Sequence, residues 1–239
     1  MLALIRENSH NNDISVYYDY EKKKYYKITI SDYGKNLIHN EFMGLNFFNK
    51  LRYEKKIFFK LYKKKNYRRL EIDKIEGVKA KYNNSFYKNS KYFEKIVNFY
   101  ISKWPKGKNQ IAHGDFTLDN VIFKKNNFVI LDWEHFKKSK KLFFGYDLVY
   151  ILLSGIILPG EKNFKHDSKR EFKRLYKKLY NYKINKNFLN NPFNTIDKII
   201  ANIFTDNLIK SPKKFVTTSI NKNFKFKIVN FLDEEVFNK

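Results

Sequence analysis

The stretch that decides the fold reads Ile111-Ala112-His113-Gly114-Asp115-Phe116-Thr117-Leu118-Asp119-Asn120-Val121-Ile122-Phe123, and Ile130-Leu131-Asp132-Trp133-Glu134 follows after a short interval. Its spacing is His-x-Asp-x4-Asn, and a second Asp ends the later apolar run. A carboxylate in such a loop can accept the proton of an attacking hydroxyl, which makes Asp115 the candidate base. Amide and carboxylate oxygens are hard ligands that Mg²⁺ prefers, so Asn120 and Asp132 are candidate metal ligands.

The residues around these ligands predict a β-hairpin. Two apolar runs, 121–123 and 128–131, are separated by the turn 124–127. Because a hairpin turns the chain back, Asn120 before its first strand and Asp132 after its second can reach one metal ion. His113 is expected to brace the loop rather than to take part in the chemistry.

The His-Gly-Asp loop, with Asp-Trp-Glu where protein kinases carry Asp-Phe-Gly, resembles the aminoglycoside phosphotransferase and choline kinase family of small-molecule kinases. The resemblance implies an α+β, protein-kinase-like two-lobe fold, with a small β-rich N-lobe and a larger, mainly helical C-lobe. It also implies Mg²⁺ and ATP or GTP as cofactors, and transfer of the γ-phosphate to a hydroxyl of a small molecule. Asp115 would then be the catalytic base, and Asn120 and Asp132 the metal ligands.

The same resemblance requires a strand lysine that holds the α- and β-phosphates, and a helix glutamate that holds the lysine. Lys27 lies in a predicted strand and Glu41 in the helix that follows. Glu41 is four residues from both Leu37 and Leu45, so it borders the apolar face of that helix. Lys24 is the alternative if the strand register differs.

Further nucleotide contacts are expected from two segments. The stretch 70–77 looks like the last small-lobe strand and the hinge, with Asp73 and Ile75 near the nucleotide base. No glycine precedes Gly34, so a G-x-G-x-x-G loop is absent. The turn 8–12 can cover the phosphates through backbone amides and Ser9, although a plain surface turn explains it equally well.

Three further residues near the motif have competing interpretations. Asp147, after Gly145-Tyr146, matches a family segment and is expected to be structural, and a helix N-cap would also explain it. Glu134 either supports the metal through water or is an ordinary loop carboxylate. Trp133, with tyrosines, is a candidate cage for a quaternary ammonium group.

Hydrophobic periodicity predicts the remaining organisation. Residues 1–76 form the N-lobe, an antiparallel sheet with one helix that carries the phosphate clamp, and residues 77–239 form the C-lobe. The expected strands are 14–18, 25–30, 56–62 and 69–75, and the expected helices are 36–51, 89–104, 169–182 and 195–209.

The chain is strongly basic, with a formal charge of +25 from 49 Lys and Arg against 24 Asp and Glu. Only six of the 49 are arginine, whereas readers of nucleic acid rely on arginine for bidentate contacts. The abundance of Lys, Asn, Ile, Phe and Tyr indicates a coding bias. We therefore expect no specific nucleic acid partner, and nonspecific anion binding at low salt.

Composition excludes several other classes. The 239 residues contain no cysteine, so disulfides, thiolate metal sites and cysteine nucleophiles are excluded. Arg6 and Glu7 follow the first apolar residues, so no signal peptide is indicated. The apolar run 148–159 is too short for a membrane span and predicts a buried helix. A cytoplasmic location is expected, and the oligomeric state is open.

The acceptor is expected to be a small alcohol, either a sugar or an amino alcohol such as choline or ethanolamine, because the chain is short. An aminoglycoside is the alternative acceptor. Rival functions are a basic nucleic-acid-binding module and a catalytically inactive binding protein on the kinase fold. A protein kinase is disfavoured because the sequence has no Asp-Phe-Gly motif and no Ala-Pro-Glu motif.

Overall fold

The computed structural model describes residues 1–6, 14–51, 56–80, 84–107, 109–125, 127–140, 144–180 and 222–237. The chain forms two compact units. The first comprises Met1–Lys79, Lys103–Asp115 and Asn120–Leu142, and the second comprises Ala80–Ser102, Phe116–Asp119 and Phe143–Lys239. The first unit therefore contains the N-terminal segment and also Asp115, Asn120 and Asp132, whereas Phe116–Asp119 of the catalytic loop falls in the second unit.

An antiparallel five-stranded sheet dominates the first unit. Its order is β1-β2-β3-β5-β4, with the bounds β1 Leu2–Arg6, β2 Ser15–Asp19, β3 Lys24–Thr29, β4 Phe59–Lys63 and β5 Arg68–Asp73. The predicted hairpin of β2 and β3 is confirmed, and its turn places Lys23 at a φ of 52°. Strand β1 was not predicted, because its short apolar run has no strict alternation and carries no turn signal before it.

Helix α1, Asp32–Leu51, packs against this sheet through the apolar face that the sequence predicted. Leu45 and Phe48 are fully buried on that face. The helix begins four residues earlier than expected, because the Ser31 hydroxyl accepts a hydrogen bond from the Gly34 N–H and so satisfies a free donor of the first turn.

Short strands complete the first unit. The predicted hairpin is confirmed as β8 Val121–Phe123 and β9 Phe128–Ile130, with β6 Val78–Lys79 added at the side of β8. Strand β7, Gln110–Ala112, pairs with β10, Lys137–Ser139. A single 3-10 turn at Leu118–Asn120 lies within the catalytic loop, and another at Trp133–His135 follows strand β9.

The second unit is helical among its described residues. Its helices are α2 Ser90–Lys103, α3 Tyr146–Ile157, α4 His166–Tyr180 and α5 Lys222–Phe231, with shorter turns at Tyr87–Asn89, Glu161–Asn163 and Leu232–Phe237. The predicted helices 89–104 and 169–182 are confirmed, and α3 is the buried apolar helix expected at 148–159. The predicted helix 195–209 lies outside the described residues.

The α+β fold class is thereby confirmed, with a β-sheet N-terminal region and a helical C-terminal region. In the part of the chain that the structure describes, no helix has the length and apolar character needed to cross a membrane.

Candidate active site

Three carboxylates surround the ammonium group of Lys27. Lys27 Nζ lies 2.6 Å from Glu41 Oε2, 2.8 Å from Asp132 Oδ1 and 2.8 Å from Glu134 Oε1. The lysine projects from β3, Glu41 from α1, and the other two from the turn that follows β9. Since all these elements belong to the first unit, the cluster is built within one compact body.

Strand register explains why Lys27, and not Lys24, occupies this position. Residues three apart in a strand point to opposite faces, and only the Lys27 face is covered by α1. Lys24 Nζ instead lies 3.8 Å from Glu71 Oε2 and 3.6 Å from Asp73 Oδ1. Lys24 is therefore engaged in an ion pair on the other face of the sheet.

The cluster carries excess negative charge away from water. The side chain of Lys27 is 13% exposed and that of Glu41 is 1% exposed. Burial lowers the pKa of Lys27, but the three carboxylates outweigh it and hold that pKa well above its usual range. Burial raises the pKa of Glu41, with Lys27 opposing the shift. One ammonium cannot neutralise three carboxylates, so the cluster favours the approach of a further cation.

The catalytic loop holds Asp115 and Asn120 together. Asp115 is buried, and Asn120 Nδ2 donates to its backbone oxygen at 2.8 Å and to its Oδ2 at 3.4 Å. With Nδ2 used as the donor, Asn120 Oδ1 is the atom left to serve as a ligand oxygen. Gly114 adopts a φ of 90°, and a Cβ there would lie 2.5 Å from the His135 carbonyl oxygen. Only glycine fits this position of the loop.

His113 connects the loop to the strand that leads to Asp132. Its Nε2 lies 2.7 Å from the Leu131 carbonyl oxygen, and the Asp115 N–H donates to its Nδ1 at 3.3 Å. These partners assign the proton to Nε2. The Leu131 N–H also donates to the Asn120 carbonyl oxygen at 2.8 Å. These hydrogen bonds tie the loop that carries Asp115 and Asn120 to Leu131, the residue directly before Asp132.

Trp133 is a core residue, and its interpretation as part of an ammonium cage is wrong. The side chain is fully buried, and its Nε1 donates to the Ile130 carbonyl oxygen at 2.9 Å. Its indole ring packs among aromatic side chains of the first unit, namely Phe47, Phe48, Trp104, His113 and Phe136. A buried ring has no open face for a ligand cation.

Two residues of α1, Asn40 and Gly44, support the site although the sequence-based prediction gave them no role. Asn40 Nδ2 donates to the Glu134 carbonyl oxygen at 3.2 Å. A Cβ added at Gly44 would lie 2.4 Å from Trp133 Cβ. The absence of a side chain at Gly44 therefore allows α1 to pack closely against the turn that carries Trp133 and Glu134. Gly44 is three residues after Glu41 and shares its face, which is the one signal that the sequence offered.

We expect Asn40→Ala to lower the free energy of unfolding by about 1 kcal/mol, because the Glu134 carbonyl loses its donor. Asn46→Ala is the matched control, since Asn46 Nδ2 donates to the Phe42 carbonyl oxygen of its own helix. Urea unfolding followed by circular dichroism measures both. Equal losses of unfolding free energy in the two variants would show that the hydrogen bond to Glu134 stabilises the protein no more than the bond within the helix does.

The remaining candidate residues are dispersed. At the end of β5, the N–H groups of Asp73 and Lys74 donate to the carbonyl oxygens of Phe58 and Lys23. Ile75 is the next residue whose backbone could bind a nucleotide base. Asp147 is fully buried at the start of α3, in the second unit. Ser9 lies outside the described residues.

Comparison with known proteins shows what these motifs are similar to. Residues 63–177 match the model of the phosphotransferase enzyme family. No curated protein gave a match. Two similar solved structures are an APH(2")-IIa in ternary complex with streptomycin and ATP, and the choline kinase LicA from Streptococcus pneumoniae.

The first is 15% identical, with a TM-score of 0.46, and the match covers 84% of this chain and 85% of that chain. LicA is 13% identical, with a TM-score of 0.48, and the match covers 98% and 93%. Both scores lie below 0.5, so the assignment rests on the matched segment. The resemblance predicted from the catalytic motifs is thus confirmed, since residues 63–177, which carry those motifs, match the model of the phosphotransferase enzyme family.

Proposed function

We propose that this protein is a Mg²⁺- and ATP- or GTP-dependent phosphotransferase that transfers the γ-phosphate to a hydroxyl of a small molecule. The observation that carries the proposal is the contact of Lys27 Nζ with Glu41, Asp132 and Glu134 at 2.6 to 2.8 Å. A buried lysine held by a helix glutamate, beside a loop with a candidate base, is the arrangement that phosphoryl transfer requires.

Each residue of the site then has a defined task. Asp115 accepts the proton of the acceptor hydroxyl. Asn120 holds the Asp115 backbone through one hydrogen bond and orients its carboxylate through the other. Lys27 binds oxygens of the α- and β-phosphates, and Glu41 holds its ammonium in place. Asn40 fixes the turn that presents Asp132 and Glu134.

The donor set fits a magnesium ion. Asn120 Oδ1 and the Asp132 carboxylate would hold it, because Nδ2 of Asn120 is already engaged with Asp115. The ion would neutralise charge on the phosphate oxygens when bound. Glu41 and Glu134 also bring oxygens within 4.8 Å of Asp132. Of these three partners of Lys27, Asp132 is the most accessible, with a side chain that is 31% exposed against 1% for Glu41 and 7% for Glu134. We therefore assign the ion to Asn120 and Asp132.

The acceptor in this proposal is a sugar or an amino alcohol, with an aminoglycoside as the alternative. The test measures nucleoside diphosphate released from Mg-ATP and Mg-GTP with choline, ethanolamine, simple sugars, amino sugars and aminoglycosides. We expect one acceptor class to stimulate release, and Asp115→Asn to lower the stimulated rate by roughly 10²-fold or more while nucleotide still binds.

Asp119→Asn is the matched control, because it makes the same substitution in the same loop at a residue without a proposed catalytic task. Its stimulated rate is expected to stay near that of the wild type. An Asp115→Asn variant as active as the Asp119→Asn variant would refute Asp115 as the base. Binding of nucleotide without stimulation by any acceptor would favour the inactive kinase-fold alternative.

A further inference from the structure

A cavity of about 350 Å³ lies in the first unit, apart from the Lys27 cluster. Four separate segments close it: the β2–β3 turn, the residues before β4, the segment after β5, and the β8–β9 turn. Each segment contributes one lysine to the lining. These lysines are Lys23, Lys56, Lys74 and Lys124.

The cavity lining carries a net positive charge, from four lysines against the two carboxylates Asp73 and Glu76. Within the described part of the chain, none of the four ammonium groups forms an ion pair. Two carboxylates also line the cavity, and one of them, Asp73, already lies 3.6 Å from Lys24 Nζ. Lysines that converge from four segments repel one another unless an anion lies between them. An anionic ligand would therefore stabilise this arrangement.

Apolar side chains form another part of the wall. Ile57 and Val129 are buried, at 6% and 1% exposure, and lie behind the cavity surface. Phe58 lines the same cavity and is 61% exposed, which is unusual for a large aromatic side chain. A volume of this size admits a small organic ligand, and apolar walls with a few charged groups are typical of such sites.

The cavity is distinct from the proposed catalytic centre. Lys27, Glu41, Asp132 and Glu134 do not line it. Its lysines are also unlike Lys27, because they lie on turns and connecting segments rather than within a strand covered by a helix. The cavity shares Asp73, Lys74, Ile75 and Glu76 with the segment 70–77 assigned to the nucleotide base, so its relation to the nucleotide has to be tested directly.

We propose that this cavity binds a phosphorylated small molecule that carries an apolar or aromatic group. The lysines would contact the phosphate, and the exposed ring of Phe58 would contact the apolar part. The inference does not depend on the proposed phosphotransferase activity, because it concerns binding alone.

Isothermal titration calorimetry of the full chain with phenyl phosphate and with inorganic phosphate tests this inference, at about 0.15 M ionic strength to screen nonspecific attraction. We expect phenyl phosphate to bind more tightly than phosphate. The double variant Lys56→Gln/Lys124→Gln is expected to weaken phenyl phosphate binding roughly tenfold or more, because two charged donors are lost.

Lys65→Gln/Lys138→Gln is the matched control, since it removes the same charge at two exposed lysines outside the cavity lining. It is expected to bind phenyl phosphate as the wild type does, and saturating Mg-ATP is expected to leave that binding in place. The inference is overturned if neither probe gives saturable binding, or if both double variants lose affinity equally. Displacement of phenyl phosphate by Mg-ATP also overturns it, since the cavity would then belong to the nucleotide site.

Discussion

Replacing Lys27 by methionine is expected to lower the free energy of unfolding by about 3–5 kcal/mol, because Glu41, Asp132 and Glu134 would face one another without a counter-ion. The loss should shrink as the pH falls. Unpaired carboxylates in a folded protein have raised pKa values, so the folded variant binds protons that the unfolded chain does not, and its stability is lost as the pH rises.

Lys24→Met provides a close control, because it makes the same substitution in the same strand. Lys24 lies on the other face, at 3.6 and 3.8 Å from its partners and with more exposure, so its loss should cost about 1 kcal/mol or less. Urea unfolding of both variants between pH 5 and pH 8 measures the difference. Equal destabilisation by the two substitutions, or no recovery of Lys27→Met at low pH, would contradict the three-carboxylate cluster.

Gly44→Ala is expected to destabilise the protein by about 1–3 kcal/mol, because the added Cβ would lie 2.4 to 2.7 Å from atoms of Trp133. Helix propensity alone predicts the opposite sign, a gain of about 1 kcal/mol for alanine over glycine within a helix. The direction of the effect therefore decides between close packing of α1 on the turn and a loosely placed helix.

Gly107→Ala serves as the control for this substitution, since an added Cβ there meets no atom within 4 Å. Thermal unfolding by circular dichroism should lower the Tm of Gly44→Ala and leave that of Gly107→Ala nearly unchanged. A Gly44→Ala protein as stable as the wild type would show that Trp133 can move away from α1.

The sequence predicted those parts of the fold that depend on local periodicity and on spacing within one motif. The β2–β3 hairpin, the amphipathic face of α1 and the hairpin after Asn120 are of this kind. The pairing of Lys27 with Glu41 depended on strand parity and on the apolar border of the helix, both of which can be counted along the chain.

Contacts between distant segments could not be predicted in the same way. Glu134 and Lys27 are 107 residues apart, and nothing in the local pattern indicates that the glutamate joins the lysine. The roles of Asn40 and Gly44 depend on how closely α1 approaches the turn at Trp133. Trp133 was misinterpreted because composition does not reveal whether an aromatic ring faces the core or a ligand.

The proposal that the protein transfers phosphate to a small alcohol is tested most directly by ³¹P nuclear magnetic resonance of a reaction with Mg-ATP or Mg-GTP and the acceptor panel. This measurement identifies the product, and so separates transfer to an acceptor from hydrolysis of the nucleotide. We expect a new phosphomonoester signal with one acceptor class, present with wild type and Asp119→Asn and lost with Asp115→Asn. Inorganic phosphate as the sole product, or a phosphomonoester formed equally by Asp115→Asn, would contradict it.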